Sequence, residues 1–186
     1  MAQSIRAFVA VDVECGPELR RVLRELNEMG RAVRAMSPDN LHVTLKFLGD
    51  VPLEQTASIA TAITDAVSAT ATFTAELRGL GTFPHLDRPT VVWAGFAEPE
   101  LIAQLAESME AALGPLGFSR ERRPFHPHVT IARINSRPPD SLRQLVEHHA
   151  ATDFGPIAVE AVELYQSELS SSGPRYTVLA RAPLRA

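Results

Sequence analysis

Cysteine, tryptophan and tyrosine are scarce in this chain: one Cys, one Trp and two Tyr among 186 residues. With Cys15 alone, no disulfide can close within the chain and no thiolate zinc knot can form, a pattern that suits a reducing cytoplasm. Long apolar runs are missing as well. The opening "MAQSIRAFVAVDVECG" holds only a brief one, closed by Asp12 and Glu14, which is too short and too charged for a signal peptide or membrane span. Nor is there an excess of positive charge. Eighteen Lys and Arg against 22 Asp and Glu give a formal charge of -4, which excludes coating of a long nucleic-acid backbone but leaves a short or terminal piece open. Neither G-x-x-x-x-G-K-[ST] nor G-x-S-x-G occurs, so a phosphate-cradling loop and a serine nucleophile elbow are both excluded.

What is present is a 45% hydrophobic composition, enough for one domain over residues 1–186, built as one body or as two small lobes, with no linker or low-complexity tract. Period-two runs predict strands at 6–12, 41–49, 73–83, 89–96 and 127–134, and a closing pair at 157–169 and 175–184 joined by "SSSGP". Helical spacing predicts a first helix over 16–33, with Leu19, Val22, Leu23, Leu26 and Met29 on one face. A second helix opens at Pro52 with Leu53, Ile59, Ile63 and Val67, a third starts near Pro99 with a stripe of Leu101, Leu105, Met109 and Leu113, and a fourth covers about 139–150.

The distinctive feature is a repeated His-Val-Thr. "LHVTLKFLGD" places His42 and Thr44 two residues apart, and "PHVTIARINS" does the same with His128 and Thr130, 86 positions later. Residues two apart on a strand share a face, so each strand presents an imidazole and a hydroxyl together, while Val43, Leu45 and Phe47, or Val129 and Ile131, turn toward a core. Two similar lobes facing each other, each drawn from about half the chain, account for the recurrence. An imidazole titrates near neutrality, so a facing pair can supply one base and one acid, and threonine hydroxyls are short, stiff donors for phosphate oxygens. That combination suits in-line displacement at phosphorus, chemistry that requires no metal, cofactor or cysteine.

Taken together, "RAFVAVD", "LHVTLKFLGDV", "RPFHPHVTIAR" and "LYQSEL…GPRYTVLARAPL" resemble the two-histidine phosphoesterases, in the branch of the RNA 2′,3′-cyclic phosphodiesterases, long called 2′-5′ RNA ligases. The resemblance spans nearly the whole chain. It implies a bilobal α+β fold, with two antiparallel-rich sheets lining a central cleft, helices outside and lobes related by a pseudo-twofold. It also implies hydrolysis of 2′,3′-cyclic phosphate at RNA ends to a 2′-phosphate. By position, His42 corresponds to the proton donor for the departing O3′ and His128 to the base that activates water, with Thr44, Thr130 and Arg133 on the phosphate. The partners implied are RNA ends or small cyclic phosphates, with no protein partner, and the chain reads as a monomer in the cytoplasm. Alternatives are a cyclic phosphate from tRNA processing, a small cyclic nucleotide, and a module that binds RNA ends without turnover.

Strict alternation puts Arg133 on the face opposite His128, so a strand end or bulge is needed to bring it in. Lys46 shares the His42 face by the same rule. Phe125 is a candidate to stack on a base or to pack in the core, and Arg120, Arg122 and Arg123 form either a steering patch or a solvated loop. His126, with His128 and either His42 or His85, offers a rival metal reading that lacks any Asp, Glu or Cys within the motifs. His85, His148 and His149 receive no role.

Overall fold

The computed structural model describes residues 3–170 and 173–186. Among the described residues, nine strands and four α-helices follow in the order β1 (Ser4–Asp12), α1 (Pro17–Glu28), β2 (Val33–Ala35), β3 (His42–Pro52), α2 (Thr56–Val67), β4 (Phe73–Phe83), β5 (Val91–Phe96), α3 (Glu100–Leu113), β6 (Val129–Ile134), α4 (Asp140–His148), β7 (Asp153–Val159), β8 (Ala161–Ser170) and β9 (Gly173–Pro183). All strand pairings between these elements are antiparallel. One sheet runs β3-β1-β8-β9, the other β2-β6-β5-β4-β7. Helices α2 and α3 pack on the first sheet, and α1 and α4 on the second. This is the expected α+β class with two antiparallel sheets.

Strand β1 shows how the layers separate. Ile5, Ala7, Val9 and Val11 join the large core beneath the helices, whereas Phe8 and Ala10, pointing the other way, form a small separate cluster with Tyr165. The large core gathers buried residues from both sheets, with Leu19, Leu26, Ile59, Ile63, Ile102, Met109 and Leu142 among its fully buried side chains.

Several sequence expectations change. Helix α1 stops at Glu28 because Gly30 adopts φ +78, a left-handed turn that a helix cannot continue through, and Val33–Ala35 leaves as a strand beside β6. A short 3₁₀ turn at Leu53–Gln55 precedes α2, and Leu53 is exposed. In α3 the buried stripe takes Ile102 instead of Leu101. The run 157–169 is not one strand: β7 pairs with β4 in the second sheet, and the chain then crosses to pair β8 with β1. Of the expected "SSSGP" connection, Ser171 and Ser172 lie outside the described residues, while Ser170 and Gly173 face each other as the last β8–β9 pair. The sheets are therefore not the two halves of the chain. The first combines strands from both ends of the sequence and takes none from the middle.

Candidate active site

His42 opens β3, and Phe8, Tyr165 and Tyr176 surround it. Its ring centroid lies 5.0 Å from Phe8 and 5.1 Å from Tyr176, the latter edge-on at 87°. Tyr165 stacks on Phe8 at 5.1 Å, with its ring centroid 6.3 Å from that of His42. Beside these rings a pocket of about 300 Å³ is lined by Asp12, Asn40, His42, Tyr165, Tyr176 and Val178, among others. His128 stands immediately before β6 and meets Phe83 edge-on at 5.0 Å, with His126 and Trp93 alongside.

The two imidazoles are held in the same way. Nδ1 of His42 is 2.8 Å from the Asn40 carbonyl oxygen, and Nδ1 of His128 is 2.7 Å from the carbonyl oxygen of His126. A carbonyl can only accept, so in each ring Nδ1 carries the hydrogen and donates it. Nε2 is thereby left as the reactive nitrogen, bare in the neutral ring and protonated in the cation. Pro38 and Pro127, which stiffen the backbone entering each motif, help to place those carbonyls.

Burial pushes the His42 imidazole below its ordinary value, and the positive charges of Arg133 and His128 push it further, against the opposing effect of the Asn40 carbonyl. His128 is lowered too, chiefly by burial and then by His126 and Arg133, with its carbonyl partner working the other way. His128 and Arg133 thus act electrostatically on His42 although they belong to the other sheet.

Matching irregularities set what accompanies each histidine. In β3, Ala10 opposes Thr44 and Val9 opposes Lys46, so Leu45 is left without a partner. In β6, Trp93 opposes Thr130 and Val92 opposes Ala132, so Ile131 is left over. Both are bulges at the residue after the threonine, and each reverses the alternation beyond it. Val91 and Trp93 share a face of β5 and oppose Arg133 and Thr130, so Arg133 joins the histidine face as the resemblance requires. In β3 the same device overturns two expectations. Lys46 turns away from His42 into the interior, where Nζ lies 2.6 Å from Glu110 Oε2 and 2.9 Å from the Ser119 carbonyl. Phe47 swings out of the core to the His42 face, opposite Phe8 with ring centroids 6.4 Å apart, and is 65% exposed. Thr44 and Thr130 are half-buried beside their histidines.

Other candidates sort as follows. Phe125 is exposed rather than packed in the core. Arg120 is tied to Glu107 on α3, and Arg122 and Arg123 are exposed. Among the described residues no group of three or more His, Cys, Asp or Glu is placed to hold a metal ion. His149 bonds Thr152 at 3.0 Å, and Cys15 is buried and unpaired with another cysteine. Sequence spacing gives Arg34 no element, because the expected helix over 16–33 takes in only Val33 of its strand. Arg34 opposes Arg133 directly.

Comparisons with known proteins agree with this geometry. The sequence model of the 2′-5′ RNA ligase superfamily matches residues 11–170. An RNA 2′,3′-cyclic phosphodiesterase of Methanothermobacter thermautotrophicus is 34% identical over 176 residues, covering 93% of this chain and 95% of that protein. One from Thermotoga maritima is 33% identical, covering 94% and 93%. Among solved structures, TT0787 of Thermus thermophilus superposes with a TM-score of 0.79 at 31% identity, covering 97% of this chain and 98% of that one. Escherichia coli LigT complexed with 3′-AMP gives 0.75 at 28% identity, covering 99% and 100%.

Proposed function

The chain belongs to the 2′-5′ RNA ligase superfamily and is an RNA 2′,3′-cyclic phosphodiesterase, and we propose that it works by histidine acid-base catalysis without a metal, in a single domain to which each sheet contributes one His-x-Thr. His128 Nε2 takes a proton from water as the water oxygen bonds to phosphorus, and the P–O3′ bond breaks on the opposite side. His42 Nε2 delivers a proton to O3′, so the product is a 2′-phosphate with a free 3′-hydroxyl, and the rings exchange protons with solvent before the next turn. Thr44, Thr130 and Arg133 hold the non-bridging oxygens, where charge builds in the transition state. The observation that carries this reading is the shared Nδ1–carbonyl clamp, which leaves two Nε2 atoms free for proton transfer. Phe47 gives the nucleoside side of the site an exposed ring, and Phe47→Ala is expected to raise KM about tenfold for base-bearing substrates, read from steady-state kinetics. The same reading has the protein acting as a cytoplasmic monomer, a state that sedimentation of the purified protein checks.

The test is incubation of an oligoribonucleotide ending in 2′,3′-cyclic phosphate with chelator present. Release of a 2′-phosphate is expected. Binding without turnover would instead mean an RNA-end module, and loss of activity under chelation a metal enzyme. The pH dependence carries a sign. Both imidazoles titrate below about 6.5 in the free protein, so the acid must be protonated and the base neutral in a window on the acidic side. The kcat/KM profile is expected to be a bell with its maximum below about pH 6.5. A flat profile, or a maximum well above neutrality, counts against the pair.

A further inference from the structure

Arg34 and Arg133 oppose each other across the β2–β6 pair, so their side chains leave the same face of the sheet. Like charges placed directly opposite repel, and among the described residues neither guanidinium has a carboxylate within ion-pair distance. The 2′,3′-cyclic phosphate is a diester with a single negative charge. It can balance Arg133 beside the histidines, but it leaves Arg34 without a counter-charge.

Arg34 is also drawn toward the catalytic histidine from the other sheet. A Cβ added at Gly173 would stand 2.5 Å from an Arg34 guanidinium nitrogen, so the guanidinium packs against the end of β9. The next residue, Pro174, accepts a hydrogen bond from Asn40 Nδ2 at 3.4 Å, and the Asn40 carbonyl holds His42. A short chain of contacts therefore links Arg34 to His42, while its strand partner Arg133 acts on both histidines. Opposed residues on antiparallel strands have Cα atoms about 4.5–5.5 Å apart, and long side chains can fan out from there to reach two phosphates joined by one ribose.

From this we propose that Arg34 binds the first phosphodiester on the 5′ side of the scissile group while Arg133 binds the cyclic phosphate itself, which makes the substrate an oligonucleotide end and not a mononucleotide. The inference rests on the phosphodiesterase reading and narrows its substrate class. Gly173 has a structural part in it, since its φ of +133 is a conformation L side chains rarely adopt and a side chain there would displace the Arg34 guanidinium.

The test compares three substrates: adenosine 2′,3′-cyclic phosphate, the ApA dinucleotide ending in 2′,3′-cyclic phosphate, and the same dinucleotide with a neutral methylphosphonate linkage. For the unsubstituted protein, kcat/KM is expected to be about tenfold higher on the charged dinucleotide than on either of the others, and Arg34→Gln to abolish most of that preference. On the charged dinucleotide, the log-log salt dependence of kcat/KM should be shallower in R34Q by about 0.7, as for one lost phosphate contact. An equal loss on all three substrates, or no loss on any, overturns the clamp. Should the unsubstituted protein turn over none of them, the phosphodiesterase reading fails, and the clamp is read by fluorescence anisotropy with a labelled ApA 2′-phosphate. About tenfold weaker binding by R34Q supports it there, and equal binding overturns it.

Discussion

Replacing His42 or His128 by Ala is expected to lower turnover of a 2′,3′-cyclic phosphate by at least about 10²-fold, within the range of about 10²–10⁴ typical of a lost proton-transfer group. The double replacement should cost far less than the product of the two, because an acid and a base acting in one step are not independent. The pH profile assigns the roles. Loss of the base in His128→Ala should remove the acidic limb of the kcat/KM profile, and loss of the acid in His42→Ala the alkaline limb. His42 packs against both Phe8 and Tyr176, so circular dichroism and thermal melting of each variant are needed to separate lost chemistry from lost structure. A folded variant that keeps turnover within tenfold of the parent would remove that histidine from the mechanism.

Removing the Lys46 amine is expected to have the largest effect on stability. The ammonium is almost fully buried, with side-chain exposure of 1%, and its partner Glu110 is at 11%. Lys46→Ala leaves a carboxylate and the Ser119 carbonyl without their donor in a poorly solvated site. The cost should be about 3–5 kcal/mol, seen as a lower midpoint in urea with the slope kept. Replacing both members, Lys46→Met with Glu110→Leu, should recover much of the loss, because the desolvation cost of both charges disappears with them. A loss under about 1 kcal/mol in K46A would show that the pair is not a supporting contact. Because Lys46 faces α3 and not the histidines, turnover per folded molecule should stay within a few-fold of the parent.

These two residues, four positions apart, show what a sequence does and does not disclose. The pairing of His42 with Thr44, and of His128 with Thr130, was legible because two residues of unbroken strand share a face whatever surrounds them. Lys46, Phe47 and Arg133 lie beyond the bulges, and there strict alternation assigns the wrong face. Neither bulged position, Leu45 nor Ile131, is a glycine or proline, so local composition carries no mark of them. Arg34 was hidden for another reason. The helical spacing of 16–33 runs up to Val33 and leaves Arg34 and Ala35 without a periodic signal of their own, and only the turn at Gly30 and the hydrogen bonds offered by β6 make Val33–Ala35 a strand. The split of 157–169 has a related cause, since one apolar run supplies β7 to the second sheet and β8 to the first.

The sequence by itself determined the set of groups available for chemistry: two imidazoles and two hydroxyls in identical frames, a composition without disulfides or a phosphate loop, and strands and helices whose apolar periods decide their type. Local spacing is enough for that, because side-chain direction over two or three residues follows from backbone geometry alone. Only the tertiary structure decided which tautomer each imidazole takes, which neighbours burial and charge bring to bear on it, and which residues past the threonines share the histidine face. Those depend on carbonyls, bulges and opposed strands far apart in the chain, and pairing across a sheet is a property of the assembled fold, not of any one segment.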